Sequence, residues 1–116
     1  MSADIQVYHN PRCTKSRQAI QLLEEKGVEF EIIEYLKQLP TVEELKAVIA
    51  KLGITPFDLI RKGEAIYKSD FKGKTLSDDD WVQAMIDHPK LIERPIVIKG
   101  NKAVIGRPTE AVETLL

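Results

Sequence analysis

Cys13 is the side chain best suited to chemistry, because it is the one cysteine in the 116-residue chain. Three cations, Arg12, Lys15 and Arg17, lie close to it, and residues 5–23 include no acidic residue although the chain contains 18. Positive charge at the start of a helix stabilises the thiolate, which is the nucleophilic form of cysteine. A buried structural thiol is the alternative interpretation, but polar and charged flanks are not typical of a core segment. We therefore predict a reactive thiolate with a lowered pKa.

Two neighbours of Cys13 bear on how the thiol would react. His9 is either an acid-base or electrostatic partner of the thiolate, or a strand-end residue that pairs with the backbone, and both interpretations stay open. The spacing C-T-K-S puts Ser16 where a dithiol oxidoreductase carries its second cysteine. A disulfide formed by Cys13 therefore needs a thiol from another molecule. Glutathione is the natural candidate in a cytoplasmic protein.

A second group of cations belongs to a predicted β-hairpin. The strand-like runs 96–99 and 102–105 are separated by Gly100 and Asn101, which is a signal for a two-residue turn. In that register Arg94 faces Arg107, and each is followed by proline. Because like charges on facing positions repel, an anion is expected between the two guanidinium groups. That anion is either a ligand or a carboxylate of the protein, such as Glu93 or Glu110.

The elements that position these groups are predicted from apolar periodicity and from end signals. Strand 5–8, a helix from Thr14 towards Gly27 and strand 28–35 form a βαβ unit. Further helices are predicted after the caps Thr41, Thr55 and Ser77, with mixed helix and loop over 62–74. The hairpin follows, and Thr109 is predicted to cap a last helix, 110–116. This order predicts a single α/β domain over residues 1–116 with a mixed sheet.

Composition narrows the class of protein. The net charge of −1 does not favour a nucleic-acid binder. One cysteine and two distant histidines predict no metal site. No apolar run has the length of a membrane span, and no secretory signal is visible, so we expect a cytoplasmic protein, which we take to be a monomer.

Four segments carry a resemblance to a known family. HNPRCTKSR, LIRKGE, LIERPIVIKG and the closing GRP resemble the glutaredoxin-dependent arsenate reductase family, in order and over almost the whole chain. The resemblance implies a thioredoxin-like α/β fold: a mixed sheet built from βαβ, a helical insertion, a β-hairpin and a C-terminal helix. It also implies a cis peptide bond before Pro95.

The resemblance further implies roles for individual residues. Cys13 corresponds to the nucleophile, His9 to a histidine thought to activate it, and Arg61, Arg94 and Arg107 to three oxyanion-binding arginines. The supporting residues around the thiol are then Asn10, Arg12, Thr14, Lys15, Ser16, Arg17 and Pro95.

The implied reaction is the reduction of arsenate through a Cys13 adduct. Glutathione would be the co-substrate, glutaredoxin the partner, and no bound cofactor is expected. The alternatives are a reductase of another oxyanion or thiol substrate, or a non-enzymatic redox-responsive module like the Spx-type regulators. Those regulators usually carry C-x-x-C, which this chain does not.

Overall fold

A computed structural model of the chain describes residues 4–116, which form two compact units. The first unit combines the described residues up to Gln38 with Arg94–Leu116, and the second is Leu39–Glu93. The single-domain organisation of residues 1–116 stays a prediction. No helix within residues 4–116 combines the length and apolar character that a bilayer crossing requires.

The described residues of the first unit form a four-stranded mixed sheet in the order β2-β1-β3-β4. The strands are β1 (Ile5–Tyr8), β2 (Glu31–Ile33), β3 (Ile96–Lys99) and β4 (Lys102–Ile105). β1 pairs in parallel with β2 and antiparallel with β3, and β3 pairs antiparallel with β4. The predicted α/β class with a mixed sheet is therefore confirmed. β2 covers three residues of the predicted span 28–35, because it lies at a sheet edge and pairs only with the short β1.

The predicted hairpin register is also confirmed. Ile96 faces Ile105 and Lys99 faces Lys102. The register continues beyond the strands, since the amide of Gly106 donates to the carbonyl of Pro95 at 2.9 Å. Gly106 must be small here, because a Cβ at this position would lie 2.8 Å from Cγ of Pro95. The hairpin therefore brings the two Arg-Pro segments side by side.

Two helices of the first unit cover one face of the sheet. They are α1 (Thr14–Glu25) and a C-terminal 3₁₀ helix (Thr109–Leu115). Their apolar side chains meet those of β1 and β3 in one buried cluster, which comprises Ile5, Val7, Ala19, Leu23, Val97, Val112 and Leu115. The prediction that Thr109 caps a helix over 110–116 was wrong. Thr109 is the first residue of the 3₁₀ helix, Pro108 is its cap, and the Thr109 hydroxyl donates to Oε1 of Gln18 instead.

The second unit is built from helices and turns. It contains α2 (Val42–Leu52), α3 (Asp78–Asp87), two 3₁₀ helices (Pro56–Leu59 and Pro89–Leu91) and a π helix (Tyr67–Phe71). Thr41 and Thr55 form the capping boxes that start two of these helices, and the Ser77 hydroxyl caps α3, so these three caps are confirmed. The segment predicted as mixed helix and loop contains the π helix, a form that local periodicity does not signal.

Candidate active site

The loop before α1 is a tight turn that its own sequence specifies. The amide of Cys13 donates to the carbonyl of Asn10 at 3.0 Å, which closes a four-residue turn with Pro11 at its second position. Asparagine at the first position and proline at the second are favoured in such turns. The Asn10 side chain also accepts from the amide of Arg12 at 3.0 Å. The turn delivers Cys13 to the first position of the helix with its side chain outside the core.

Cys13 is the N-cap residue of α1. Its backbone is extended, with φ −91° and ψ 122°. The first amides of a helix have no partner within the helix, and the helix dipole is positive at this end. The first turn of α1 contains no acidic residue. The half-buried sulfur therefore lies where a negative charge is favoured.

The pKa of Cys13 is lowered from its ordinary value by groups that outweigh the effect of burial. Burial alone would raise the pKa of the thiol. The opposing influences are hydrogen bonds from the backbone of Ser16, the side chain of Arg94 and the backbone of Lys15, followed by the positive charge of Arg107. Hydrogen bonds to the charged form of a group favour that form. The predicted lowering of the Cys13 pKa is thus present. The first amides of α1 contribute as predicted, and the charged contributions come from Arg94 and Arg107.

Arg107 and Arg94 approach the thiol from the hairpin. Nη2 of Arg107 lies 3.4 Å from the sulfur of Cys13, and its Nε donates to the carbonyl of Arg94 at 2.7 Å. The peptide bonds Arg94-Pro95 and Arg107-Pro108 are both cis. The first was expected from the resemblance, and the second was not. Arg107 thus donates to a backbone carbonyl and to the thiol sulfur, two acceptors that sequence alone did not suggest.

The loop cations lie at the surface of the first unit. Arg12, Lys15 and Arg17 are exposed. Arg17 uses its guanidinium to hold the loop, since it donates to the carbonyl of Pro11 and to the hydroxyl of Thr14 at 3.3 Å each. Lys15 acts on the thiol through its backbone amide. The leading charged contributions to the thiolate therefore come from the hairpin arginines, far away along the chain.

His9 and Ser16 join the end of β1 to the first turn of α1. Nδ1 of His9 lies 2.5 Å from Oγ of Ser16, which also accepts from the amide of Asn10 at 3.0 Å. His9 and Ser16 are buried. Burial lowers the pKa of His9, the charge of Glu34 acts in the opposite direction, and Arg17 lowers the pKa further, so the net change is downward. His9 is therefore neutral near pH 7 and contacts Ser16, whose backbone in turn contacts the thiol.

Arg61 belongs to the second unit, where two carboxylates surround it. Its Nε lies 3.8 Å from Glu64 and 3.9 Å from Glu93. A bridge between Ile60 and Ile92 holds the two segments together, and the amide of Arg61 donates to the carbonyl of Leu91 at 2.7 Å. The guanidinium of Arg61 is therefore paired with acidic side chains of its own unit. Glu93, a predicted carboxylate partner for the hairpin arginines, is one of these.

The site contains no evident place for a metal ion. Within residues 4–116, no group of three or more histidine, cysteine, aspartate or glutamate side chains is arranged to bind one. The donors that converge on the sulfur of Cys13 are amides and guanidinium groups. Such donors bind oxyanions and thiolates.

Comparison with known proteins agrees with this geometry. The model of the ArsC family matches residues 8–115. The chain belongs to the ArsC family. An arsenate reductase of Neisseria meningitidis is 42% identical over 97% of this chain and 98% of its own length, and one of Haemophilus influenzae is 44% identical over 95% and 97%. A solved structure of an arsenate reductase from Vibrio cholerae is 43% identical, with a TM-score of 0.94 and full coverage of both chains.

Sequence reasoning missed three features of this ArsC-family site. The Ser16 hydroxyl bridge to His9 and Asn10 has no local signal, because it joins a strand end to a helix turn. The Asn10–Cys13 turn did have one, namely asparagine and proline in the first two positions. The position of Gly106 against Pro95 follows only from the extended hairpin register.

Proposed function

We propose that this protein reduces arsenate to arsenite through a covalent Cys13 adduct, with glutathione and glutaredoxin as electron donors. The observation that carries the proposal is the convergence of Arg107, Arg94 and two helix amides on a single thiol whose pKa is lowered. The same donors that hold a thiolate can hold the oxygens of an incoming oxyanion. The names of the ArsC-family relatives support arsenate as that oxyanion.

The reaction begins with an exchange of ligands on arsenic. The Cys13 thiolate attacks arsenic(V), a sulfur–arsenic bond forms, and one arsenate oxygen leaves as water after taking up protons. No electron is transferred in this step. Arg94 and Arg107 stabilise the negative charge on the arsenate oxygens. Following the resemblance, Arg61 is proposed as a third oxyanion-binding residue.

Reduction follows when a second thiolate attacks the Cys13 sulfur. A disulfide forms between glutathione and Cys13, and the electron pair of the sulfur–arsenic bond stays on arsenic, which becomes arsenic(III). The two thiols together lose two electrons and arsenic gains two. Because Ser16 occupies the position of a resolving cysteine, the second thiol comes from outside the chain. Glutaredoxin then exchanges with the mixed disulfide and restores Cys13. We propose that the enzyme does this as a monomer in the cytoplasm.

A coupled assay tests the proposal. NADPH consumption is followed with glutathione, glutathione reductase, glutaredoxin and arsenate. We expect arsenate-dependent turnover in the wild type and none in Cys13→Ser, because a serine hydroxyl is a poor nucleophile and cannot form the disulfide. Thioredoxin should replace glutaredoxin poorly. Activity of Cys13→Ser at a tenth of wild type would contradict the covalent mechanism, and a glutathione adduct without any turnover would favour the redox-responsive module.

Anion binding provides an independent test. Arsenate, phosphate or sulfate should raise the midpoint of thermal unfolding in a concentration-dependent way, because a ligand that binds only the folded state stabilises it. The increase should weaken in Arg94→Ala and in Arg107→Ala, and persist in Arg12→Ala, whose side chain is exposed. An equal increase in all four proteins would place the anion elsewhere.

A further inference from the structure

Arg107 lies in a stretch of chain that hydrogen bonds fix to the hairpin. The amide of Gly106 donates to the carbonyl of Pro95 at 2.9 Å. The amide of Arg107 donates to the carbonyl of Ile105 at the same distance. The side chain is fixed as well, because its Nε donates to the carbonyl of Arg94 at 2.7 Å. All of these partners belong to the hairpin or to its two Arg-Pro extensions, so the bonds position Arg107 relative to β3 and β4.

The sulfur that Arg107 contacts belongs to a different element, because Cys13 is the N-cap residue of α1. Hydrogen bonds within the hairpin do not determine where α1 lies. The buried cluster packs α1 onto the sheet, but apolar contacts are non-directional and leave side-chain positions at the surface unspecified. The 3.4 Å distance between Nη2 of Arg107 and the sulfur is therefore sensitive to directional contacts between α1 and the chain that follows β4.

A directional contact of this kind lies near the thiol in both segments of chain. The hydroxyl of Thr109 donates to Oε1 of Gln18 at 3.1 Å. Gln18 follows Cys13 by five residues, which is about 7.5 Å along a helix. Thr109 follows Arg107 by two residues, and the residue between them is Pro108, whose ring fixes its φ at −69°. A change in the position of Thr109 is therefore transmitted to Arg107 through a short and stiff segment.

A second polar contact joins the same two helices further from the thiol. Nζ of Lys26 lies 3.2 Å from the carboxylate of Glu113. Lys26 is the C-cap residue of α1, so this contact is at the opposite end of the helix from Cys13. These two contacts between α1 and the 3₁₀ helix, one near the thiol and one remote from it, can be removed separately.

We propose that Thr109 and Gln18 are positioning residues of the site, and that their hydrogen bond keeps the Arg107 guanidinium in contact with the Cys13 sulfur. When the bond is lost, the segment that carries Arg107 can shift away from α1, and the contact with the sulfur lengthens. The thiolate then loses part of the stabilisation that the positive charge of Arg107 provides. The inference rests on the proposed function, in which Cys13 is the nucleophile, but its test requires neither arsenate nor glutathione.

The rate at which iodoacetamide alkylates Cys13 tests the proposal. The rate is measured at a pH below the pKa of Cys13, where it follows the thiolate fraction, and the reagent is uncharged, so nearby cations do not attract it. Thr109→Val removes the hydroxyl and nearly preserves the shape of the side chain. The rate should fall about two- to threefold, which corresponds to the low end of what a neutral hydrogen bond contributes. Gln18→Met should give the same fall, and Thr109→Ser, which retains the hydroxyl, should react at the wild-type rate.

The same substitution in Arg107→Ala separates positioning from a general effect on packing. If Thr109 acts through Arg107, Thr109→Val should cause no further fall in the rate once the guanidinium is absent. Glu113→Gln is the matched control, because it removes the remote contact between the same two helices, and its rate should equal that of wild type. An unchanged rate in Thr109→Val, or an equal fall with and without Arg107, would overturn the proposal. Because no measurement contains arsenate, the expected pattern can appear even in a protein that does not reduce it.

Discussion

Replacement of Arg107 should raise the pKa of Cys13. The guanidinium lies 3.4 Å from the sulfur, and two unit charges at that distance interact by about 1.2 kcal/mol in the dielectric of water. The dielectric of water applies because the Arg107 side chain is exposed. Arg107→Ala removes this attraction, which favours the charged form of the thiol, so the pKa of Cys13 should rise. Arg107→Lys should give a smaller increase, because it retains the charge and loses the planar fork.

The thiolate fraction can be followed by ultraviolet absorbance or by alkylation rate against pH. The signal is unambiguous because the chain has one cysteine. Arg17→Ala is the matched control, since it removes a guanidinium that is close in sequence but donates to the carbonyl of Pro11 and the hydroxyl of Thr14. Its effect on the Cys13 pKa should be well below that of Arg107→Ala. If the two variants raised the pKa equally, the loop charges would hold the thiolate and our assignment to the hairpin would be wrong.

Two further predictions concern the frame around the thiol. Gly106→Ala should lower the free energy of unfolding by about 1–3 kcal/mol, because the added Cβ would overpack against Pro95. Gly63→Ala is the control, since a Cβ there meets no atom within 4 Å, and it should change the free energy of unfolding by less than ~0.5 kcal/mol. Urea unfolding measures the free energy of unfolding of both variants, and equal effects would refute the steric argument. Because the pKa of His9 is lowered in the folded state, its contribution to stability is present above its unfolded pKa of ~6.5 and is lost as pH falls through the lowered value. The loss of stability below pH ~6.5 should be smaller in His9→Gln than in wild type, and an identical pH profile would contradict the assignment.

Local signals predicted much of the fold. In the caps at Thr41, Thr55 and Ser77, each side chain accepts a hydrogen bond from the amide three residues further along. Both partners therefore lie in one short segment of sequence, where a local pattern can predict them. The hairpin register likewise follows from its two-residue turn. The Thr109 cap was mispredicted for the opposite reason. Its hydroxyl has a partner on α1, Gln18, that lies 91 positions away along the chain, and tertiary contact overrides the local preference.

In the candidate site, too, local features were predictable from the sequence and tertiary contacts were not. The resemblance and the local charge pattern both identified Cys13, and the hairpin arithmetic brought Arg94 and Arg107 together. What sequence could not supply was the distance from the hairpin to the thiol, because that depends on β1 and β3 pairing antiparallel in one sheet. A cluster of charges in sequence does not specify which side chains point at a neighbouring atom.

The positive charge around Cys13 therefore performs two tasks at different distances. Arg94 and Arg107 act at contact, where hydrogen bonds to the sulfur outweigh the cost of partial burial. Arg12, Lys15 and Arg17 are exposed, and charges of one sign at the mouth of a site attract oppositely charged reactants over longer range. The proposed reactants, arsenate and glutathione, are both anionic. Residues 5–23 contain no acidic side chain, so neither reactant has to displace a carboxylate of this segment. A slightly acidic chain can thus present a locally cationic entrance to its thiol, because the sequence keeps its 18 acidic residues out of this segment.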